Sequence, residues 1–242
     1  MKVKYYIGTC GWSYYSFKNF LYPPESKPKE WLTIYSQYFN TVEINVTFYK
    51  TPTARTFKKW YEETPKDFIF SIKAPKIITH LKKLKEVEDD LKTFLQTISP
   101  LKEKAKILLF QLPPSFKYNK ELFEKFFKIL PSDYYNIIEI RNISFHNKEF
   151  IELLKKYKVC LCFSDCAGKY PSWYEVQTSD YLYIRMHGSK KLYVSNYEEE
   201  ELQELAKKIK SFKVKSAFIY FDNTSRGYAV PNALRLKEIL KT

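Results

Sequence analysis

Short apolar runs rich in Ile, Val, Phe and Tyr recur at 3–9, 41–48, 67–73, 105–112, 135–141, 158–164, 180–187 and 215–222. Runs of this length and composition predict eight β-strands. Most gaps between them carry apolar residues at helical period, over 28–39, 53–63, 86–98, 119–130, 147–157, 198–211 and 229–240. Pro28 precedes the first of these segments, and Asn196 precedes the run Glu198–Glu201, whose charges suit a helix N-terminus. Between strands six and seven, "GKYPSWYEVQTS" reads as a loop, so the sixth helix is expected to be short or missing. Strand and helix alternate over 1–242 with no Pro/Gly/Ser-rich linker, which predicts a single α/β domain. An open doubly wound sheet would usually carry a Gly-rich phosphate loop after its first strand, and "GTCGW" lacks that spacing. The expected fold is a (β/α)8 TIM-like barrel.

Period two within the strands places the polar residues. Strand two sets Val42, Ile44 and Val46 against Glu43 and Asn45, and strand three sets Phe70 and Ile72 against Ser71 and Lys73. Strand four ends at Gln111, in phase with Leu109, and strand six ends at Asp165. Strand five sets Glu139 and Arg141 opposite Ile138 and Ile140. Strand seven sets Arg185 and His187 against Leu182, Ile184 and Met186, and strand eight runs into Asp222 and Asn223. Polar residues thus gather at the strand C-termini, where barrel enzymes build their sites. Four carboxylates (Glu43, Glu139, Asp165, Asp222) there face three cations (Lys73, Arg141, Arg185). Either they neutralise one another or they serve a ligand.

Composition narrows the class. Hydrophobic residues make up 45% of the 242, enough for a large core and too many for disorder. The formal net charge of +14 is biased to residues 1–120 but forms no basic tail. Spread over helix-like stretches such as Lys82, Lys83, Lys85, Lys102, Lys104 and Lys106, it reads as a solvated surface or as a general attraction for polyanions. No apolar stretch approaches the roughly 20 residues that span a bilayer, and the N-terminus lacks a secretory apolar run. With four cysteines, too few for a disulfide scaffold, a cytoplasmic protein with no membrane partner is expected.

The stretches "GTCGWSY" (8–14), "FLYPP" (20–24), "VEINVTFYKTP" (42–52), "IKAPKIITH" (72–80), "LLFQLPPSF" (108–116), "IEIRNISF" (138–145), "YIRMHG" (183–188) and "YFDNTSRGYAVPNALRL" (220–236) resemble the YecE-like proteins, the domain of unknown function seventy-two. The resemblance covers nearly the whole chain. It implies a TIM-like barrel and names no reaction. The family's likeness to endonuclease IV implies an alternative, a nucleic-acid-binding protein or metal-dependent nuclease, through fold analogy alone. "RNISF" stands where many members carry an Arg-His pair and a Trp, and "FDN" stands where "FNN" is usual.

Among the chemistries, anion recognition has the most support. Arg141 and Arg185 suit two-pronged binding of phosphate or carboxylate, and Lys73 adds a point charge. Asn45, Gln111, Trp12, Tyr49 and His80 are candidate lining residues, while Asn223 and Thr224 start a loop at the usual barrel phosphate position. Glu43, Glu139, Asp165 and His187 are the candidates for proton transfer. A trinuclear zinc centre is unsupported by three histidines (His80, His146, His187), and "CLCFSDC" lacks zinc-ligand spacing. No cofactor motif is present. A single Mg²⁺ or Mn²⁺ on Glu43, Glu139, Asp165 or Asp222 stays open. Paired carboxylates with mouth aromatics also suit glycoside cleavage, but the interleaved cations favour a charged ligand. The expected protein is a hydrolase or lyase acting on a small phosphorylated or carboxylated substrate. On that reading Arg185→Met is expected to abolish binding and leave the fold intact.

Overall fold

The computed structural model describes residues 3–241. Eight parallel strands, β1 (Lys4–Thr9), β2 (Thr41–Ile44), β3 (Ile69–Lys73), β4 (Ala105–Gln111), β5 (Tyr135–Glu139), β6 (Cys160–Asp165), β7 (Tyr181–Met186) and β8 (Ser216–Phe221), form one sheet in the order β1-β8-β7-β6-β5-β4-β3-β2. The sheet curls into a nearly closed barrel, an α/β TIM-like fold. Outside it lie α1 (Trp31–Tyr38), α3 (Ala54–Glu62), α4 (Glu88–Ile98), α5 (Lys120–Lys128), α6 (Lys148–Tyr157), α7 (Glu199–Ser211) and α8 (Ala229–Lys241), while the short α2 (Val46–Tyr49) sits at the mouth after β2. No helix separates β6 from β7, and Asp165 and Tyr181 are joined by irregular chain.

Side-chain chemistry starts these helices. Thr53, Asn119 and Asn147 each accept a hydrogen bond from a first-turn amide of α3, α5 and α6. At α7 the cap is Glu198 rather than Asn196, and the Glu201 carboxylate accepts from its backbone N–H at 2.8 Å. Charge spreads less evenly than composition suggests. Lys104 is buried, and its ammonium donates to Tyr61 O, Thr64 O and Thr64 Oγ1 at the C-terminal end of α3.

Strand alternation divides the core in two. Ile107, Leu109, Ile137, Cys162, Tyr183 and Tyr220 are among the side chains that fill the barrel interior. Leu182, Ile184 and Met186 face the helices, with Phe163 on the same side. Two strands stop earlier than the pattern predicts. β2 ends at Ile44, and Val46, expected on the apolar stripe, lies in the short helix α2 and is 46% exposed. β5 ends at Glu139, so Arg141 stands just beyond the sheet.

The barrel closes between β1 and β2 through an unusual seam. Direct pairing is limited to the bridge Cys10–Glu43, with Gly11 N–H donating to Glu43 O at 2.8 Å. One step below, the Tyr35 hydroxyl of α1 accepts from Thr9 N–H at 2.9 Å and donates to Thr41 O at 3.1 Å. Gly8 leaves room for this arrangement, since a Cβ there would sit 2.3 Å from Thr41 O. Gly8→Ala is therefore expected to destabilise the fold by about 2–4 kcal/mol, because the obstacle is backbone. Urea unfolding tests this, and a loss below about 0.5 kcal/mol would contradict the close packing at the seam.

Candidate functional site

At the C-terminal end of the barrel, the inward polar residues form two levels. In the lower one Glu43, Glu139 and Arg185 are buried, and Arg141 reaches up to the cavity. Arg185 grips Glu43 with both Nε and Nη2, at 3.0 and 2.7 Å, and reaches Glu139 through Nη1 at 2.6 Å. Arg141 closes on the other Glu139 oxygen through Nε and Nη2, both at 2.9 Å. Glu43 also accepts from the Tyr183 hydroxyl at 2.6 Å and the Cys10 thiol at 3.0 Å, and Ser71 lies 2.7 Å from that hydroxyl. Burial works to raise the Glu139 carboxyl, but Arg141 and Arg185 hold it well below the usual carboxylate range. Burial likewise works to lower Arg185, and Glu43 and Glu139 keep it firmly charged. Burial pushes the Cys10 thiol well up, which leaves it protonated and unsuited to nucleophilic attack.

Above this floor opens a cavity of about 430 Å³ lined by Tyr14, Asn45, Phe48, Tyr49, Lys73, His80, Gln111, Pro113, Pro114, Arg141, Arg185, His187, Tyr193 and Asp222. Lys73, 8% exposed, donates to Gln111 Oε1 at 2.8 Å, and its ammonium sits 4.1 Å from the Phe48 ring centroid. No carboxylate pairs with it among the described residues. Burial first, and then the Arg185 charge, lower its amine to about 8. His187 Nδ1 lies 2.8 Å from Asp222 Oδ2, off the line of an aligned hydrogen bond, and its Nε2 has no partner among the described residues. The Asn45 side-chain oxygen is also buried without a partner. His80 rides on a π-helical turn over Ile77–Leu81, where burial, then Lys73, lower it to about 4 and keep it neutral.

The sequence-derived candidates separate accordingly. Lys73, Arg141, Arg185, Asn45, Gln111, Tyr49, His80 and His187 meet at the cavity. Glu43 and Glu139 lie beneath it with their oxygens paired to guanidinium groups, where they position Arg185 and Arg141 and do not line the cavity. Asp165 faces outward with Phe163. It accepts from the Tyr197 hydroxyl at 2.8 Å and from Ala167 N–H at 3.1 Å, and lines a separate groove with Glu200, Glu201 and Glu204. Trp12 packs edge-on against Trp60 in a neighbouring groove. Asn223 is buried and donates to Ser195 O and Asn232 Oδ1, while Thr224 O accepts from Ser16 Oγ. The loop after β8 thus knits the fold together at these residues. Tyr14 and Tyr193, from loops after β1 and β7, complete the rim and have no periodic signal in the sequence.

The donor set fits an oxygen-liganded cation poorly. Glu139, Cys166 and His187 bring ligand atoms within 4.8 Å of one another. Yet Glu139 is shared by two arginines, and burial holds the Cys166 thiol up and protonated. A divalent ion would enter beside Arg141 and Arg185 and displace them from their carboxylate.

Comparison with known proteins places the chain. A family model described as "Protein of unknown function DUF72" matches residues 6–242. The chain is 26% identical to the UPF0759 protein YunF of Bacillus subtilis (strain 168), over 97% of this chain and 94% of that protein. A DUF72 family protein from Thermotoga maritima superposes with a TM-score of 0.85 at 32% identity, covering 99% of this chain and 100% of that one. One from Enterococcus faecalis V583 superposes at 0.84 with 21% identity, covering 98% and 96%. No helix among the described residues is long and apolar enough to cross a membrane.

Proposed function

Because the chain belongs to the DUF72 family, whose description fixes no reaction, we propose from the cavity itself that the protein is an enzyme for a small phosphorylated or carboxylated substrate. The observation that carries this reading is Lys73, a buried ammonium at the cavity with no carboxylate partner. Burying such a charge costs several kcal/mol unless something meets it. Its neighbour Arg141 spends Nε and Nη2 on Glu139 and still lines the same cavity. An anionic group seated between Lys73 and Arg141 would complete both. Proton transfer then falls to His187, whose ring is flanked by Asp222 on one side and free at Nε2. The rim aromatics Tyr14, Phe48 and Tyr49 enclose the remainder of a small molecule.

A thermal-shift panel of small phosphates and carboxylates, each beside a neutral analogue, tests this reading. The anionic members are expected to raise the melting temperature and the neutral ones to leave it unchanged. Arg141→Met is expected to weaken the best binder about 10- to 100-fold, the worth of one lost charge-assisted contact. Equal shifts from neutral analogues would remove the anion from the reading. Steeply salt-dependent DNA binding that survives Arg141→Met would move recognition to the outer basic surface.

A further inference from the structure

Lys73 and Lys104 are both buried, at 8% and 3% exposure, and their surroundings differ in kind. Lys104 donates to three oxygens, Tyr61 O, Thr64 O and Thr64 Oγ1, which is all an ammonium can do. Lys73 donates to one, Gln111 Oε1, and lies against the Phe48 ring at the wall of a 430 Å³ cavity. The first is a structural ammonium. The second is held by a strand and an aromatic face at the wall of the cavity, with one hydrogen bond where an ammonium can make three. Thr47 Oγ1 donates to Lys73 O at 2.6 Å and fixes the backbone below it.

We propose that Lys73 is a nucleophilic amine that forms an imine with an aldehyde or ketone bearing a carboxylate or phosphate. This deepens the function proposed above and rests on it, since Arg141 then takes the anionic group while Lys73 meets the carbonyl. In the addition, the Nζ lone pair forms a bond to the carbonyl carbon, and the C=O π pair moves to oxygen, which takes a proton. The nitrogen, cationic after the addition, gives up one proton and regains its lone pair. In the second step that pair expels the hydroxyl, protonated again, as water, and loss of the second N–H proton leaves the imine. The net change is amine plus carbonyl to imine plus one water, with no oxidant or reductant. His187 Nε2, buried, unpartnered and on the same cavity, is the group placed to give and take these protons.

The electrostatic setting favours a free amine. Lys73 is faced by Arg185 from β7 and Arg141 beyond β5, which oppose its protonation. Glu139 and Glu43, both already paired with arginine, and Asp222 after β8, which lies beside His187, favour protonation. His80, on the turn after β3, is neutral and adds no charge. With its amine near 8 instead of 10.5, Lys73 holds about 300-fold more free amine at neutral pH than a surface lysine.

Borohydride trapping tests the proposal on the full chain. The protein is incubated with pyruvate or, separately, with dihydroxyacetone phosphate, then reduced with sodium borohydride and mapped by peptide mass spectrometry. One reduced adduct is expected at Lys73, formed at least about 10-fold faster than at any other lysine. Its yield should level off above pH about 8, while surface lysines go on gaining with pH. The better of the two probes identifies the anionic group. Arg141→Met should depress labelling at Lys73 and leave surface labelling unchanged. Labelling spread over surface lysines with Lys73 unmodified would overturn the imine. In that case, a melting-temperature rise with inorganic phosphate, lost in Arg141→Met, would leave the anionic-substrate reading standing. No rise would remove both.

Discussion

Arg185→Met is expected to lower the stability of the protein by about 3–5 kcal/mol, the usual cost of removing one member of a buried charge network. The size follows from what the guanidinium serves. It is 1% exposed, and its removal leaves the Glu43 carboxylate with only a phenol and a thiol. Glu139 would keep Arg141 alone. Equilibrium urea unfolding at pH 7 measures the loss, and a change under about 1 kcal/mol would show that these carboxylates do not depend on Arg185. The loss should also shrink in acid. The Glu139 carboxyl is held well below its usual range in the folded state, so its contribution is present above the unfolded value of 4.5 and fades as pH falls. A variant without Arg185 has less of that contribution to lose. This outcome replaces the expectation that Arg185→Met leaves the fold intact, because the side chain is part of the floor that shapes the site.

Lys73→Met is expected to do the opposite to stability while removing ligand binding. Folding buries the ammonium and lowers its amine from 10.5 to about 8, so between those values the unfolded chain binds more protons. Wild-type stability therefore rises with pH across that window, and below pH 8 the folded state carries a cost of as much as about 3 kcal/mol. A methionine of similar length has no charge to bury. The variant should melt about 5–10 °C higher at pH 7, with the advantage vanishing near pH 10.5. Calorimetry at the two pH values checks both parts. A lower melting temperature at pH 7, or a gain that persists at high pH, would mean that the buried ammonium is not a burden. A residue that costs stability and faces a cavity is what a stability–activity trade-off looks like at one position.

Much of this was legible in the sequence, for a physical reason. A barrel strand has two faces, so a period of two is enough to place Glu43, Lys73, Gln111, Glu139, Arg185 and His187 inside. The same rule, applied to β6, excludes Asp165. Cys160 and Cys162 fill the interior, and Asp165 shares its parity with Phe163. Period two carries no information about depth, however. Glu43 and Glu139 alternate correctly but lie below the cavity, and only the network of Arg185 and Arg141 across three strands reveals the two levels. The end of β2 was also hidden, since "INVTFY" alternates like a strand and folds as α2 after Asn45. Tyr183 and Tyr220 read as core aromatics, yet their hydroxyls bind Glu43 and Thr41 deep in the interior.

The phenol of Tyr35 between β1 and β2 has a mechanical consequence. A closed ring transmits strain around its circumference, whereas a ring with a clasp concentrates it there. In this barrel the clasp is a hydroxyl borrowed from α1, and the one direct bridge beside it joins Cys10 to Glu43. Those two residues are also the ones that touch beneath Arg185. A peripheral helix with no side chain on the cavity thus holds shut the seam beside the floor on which that cavity rests.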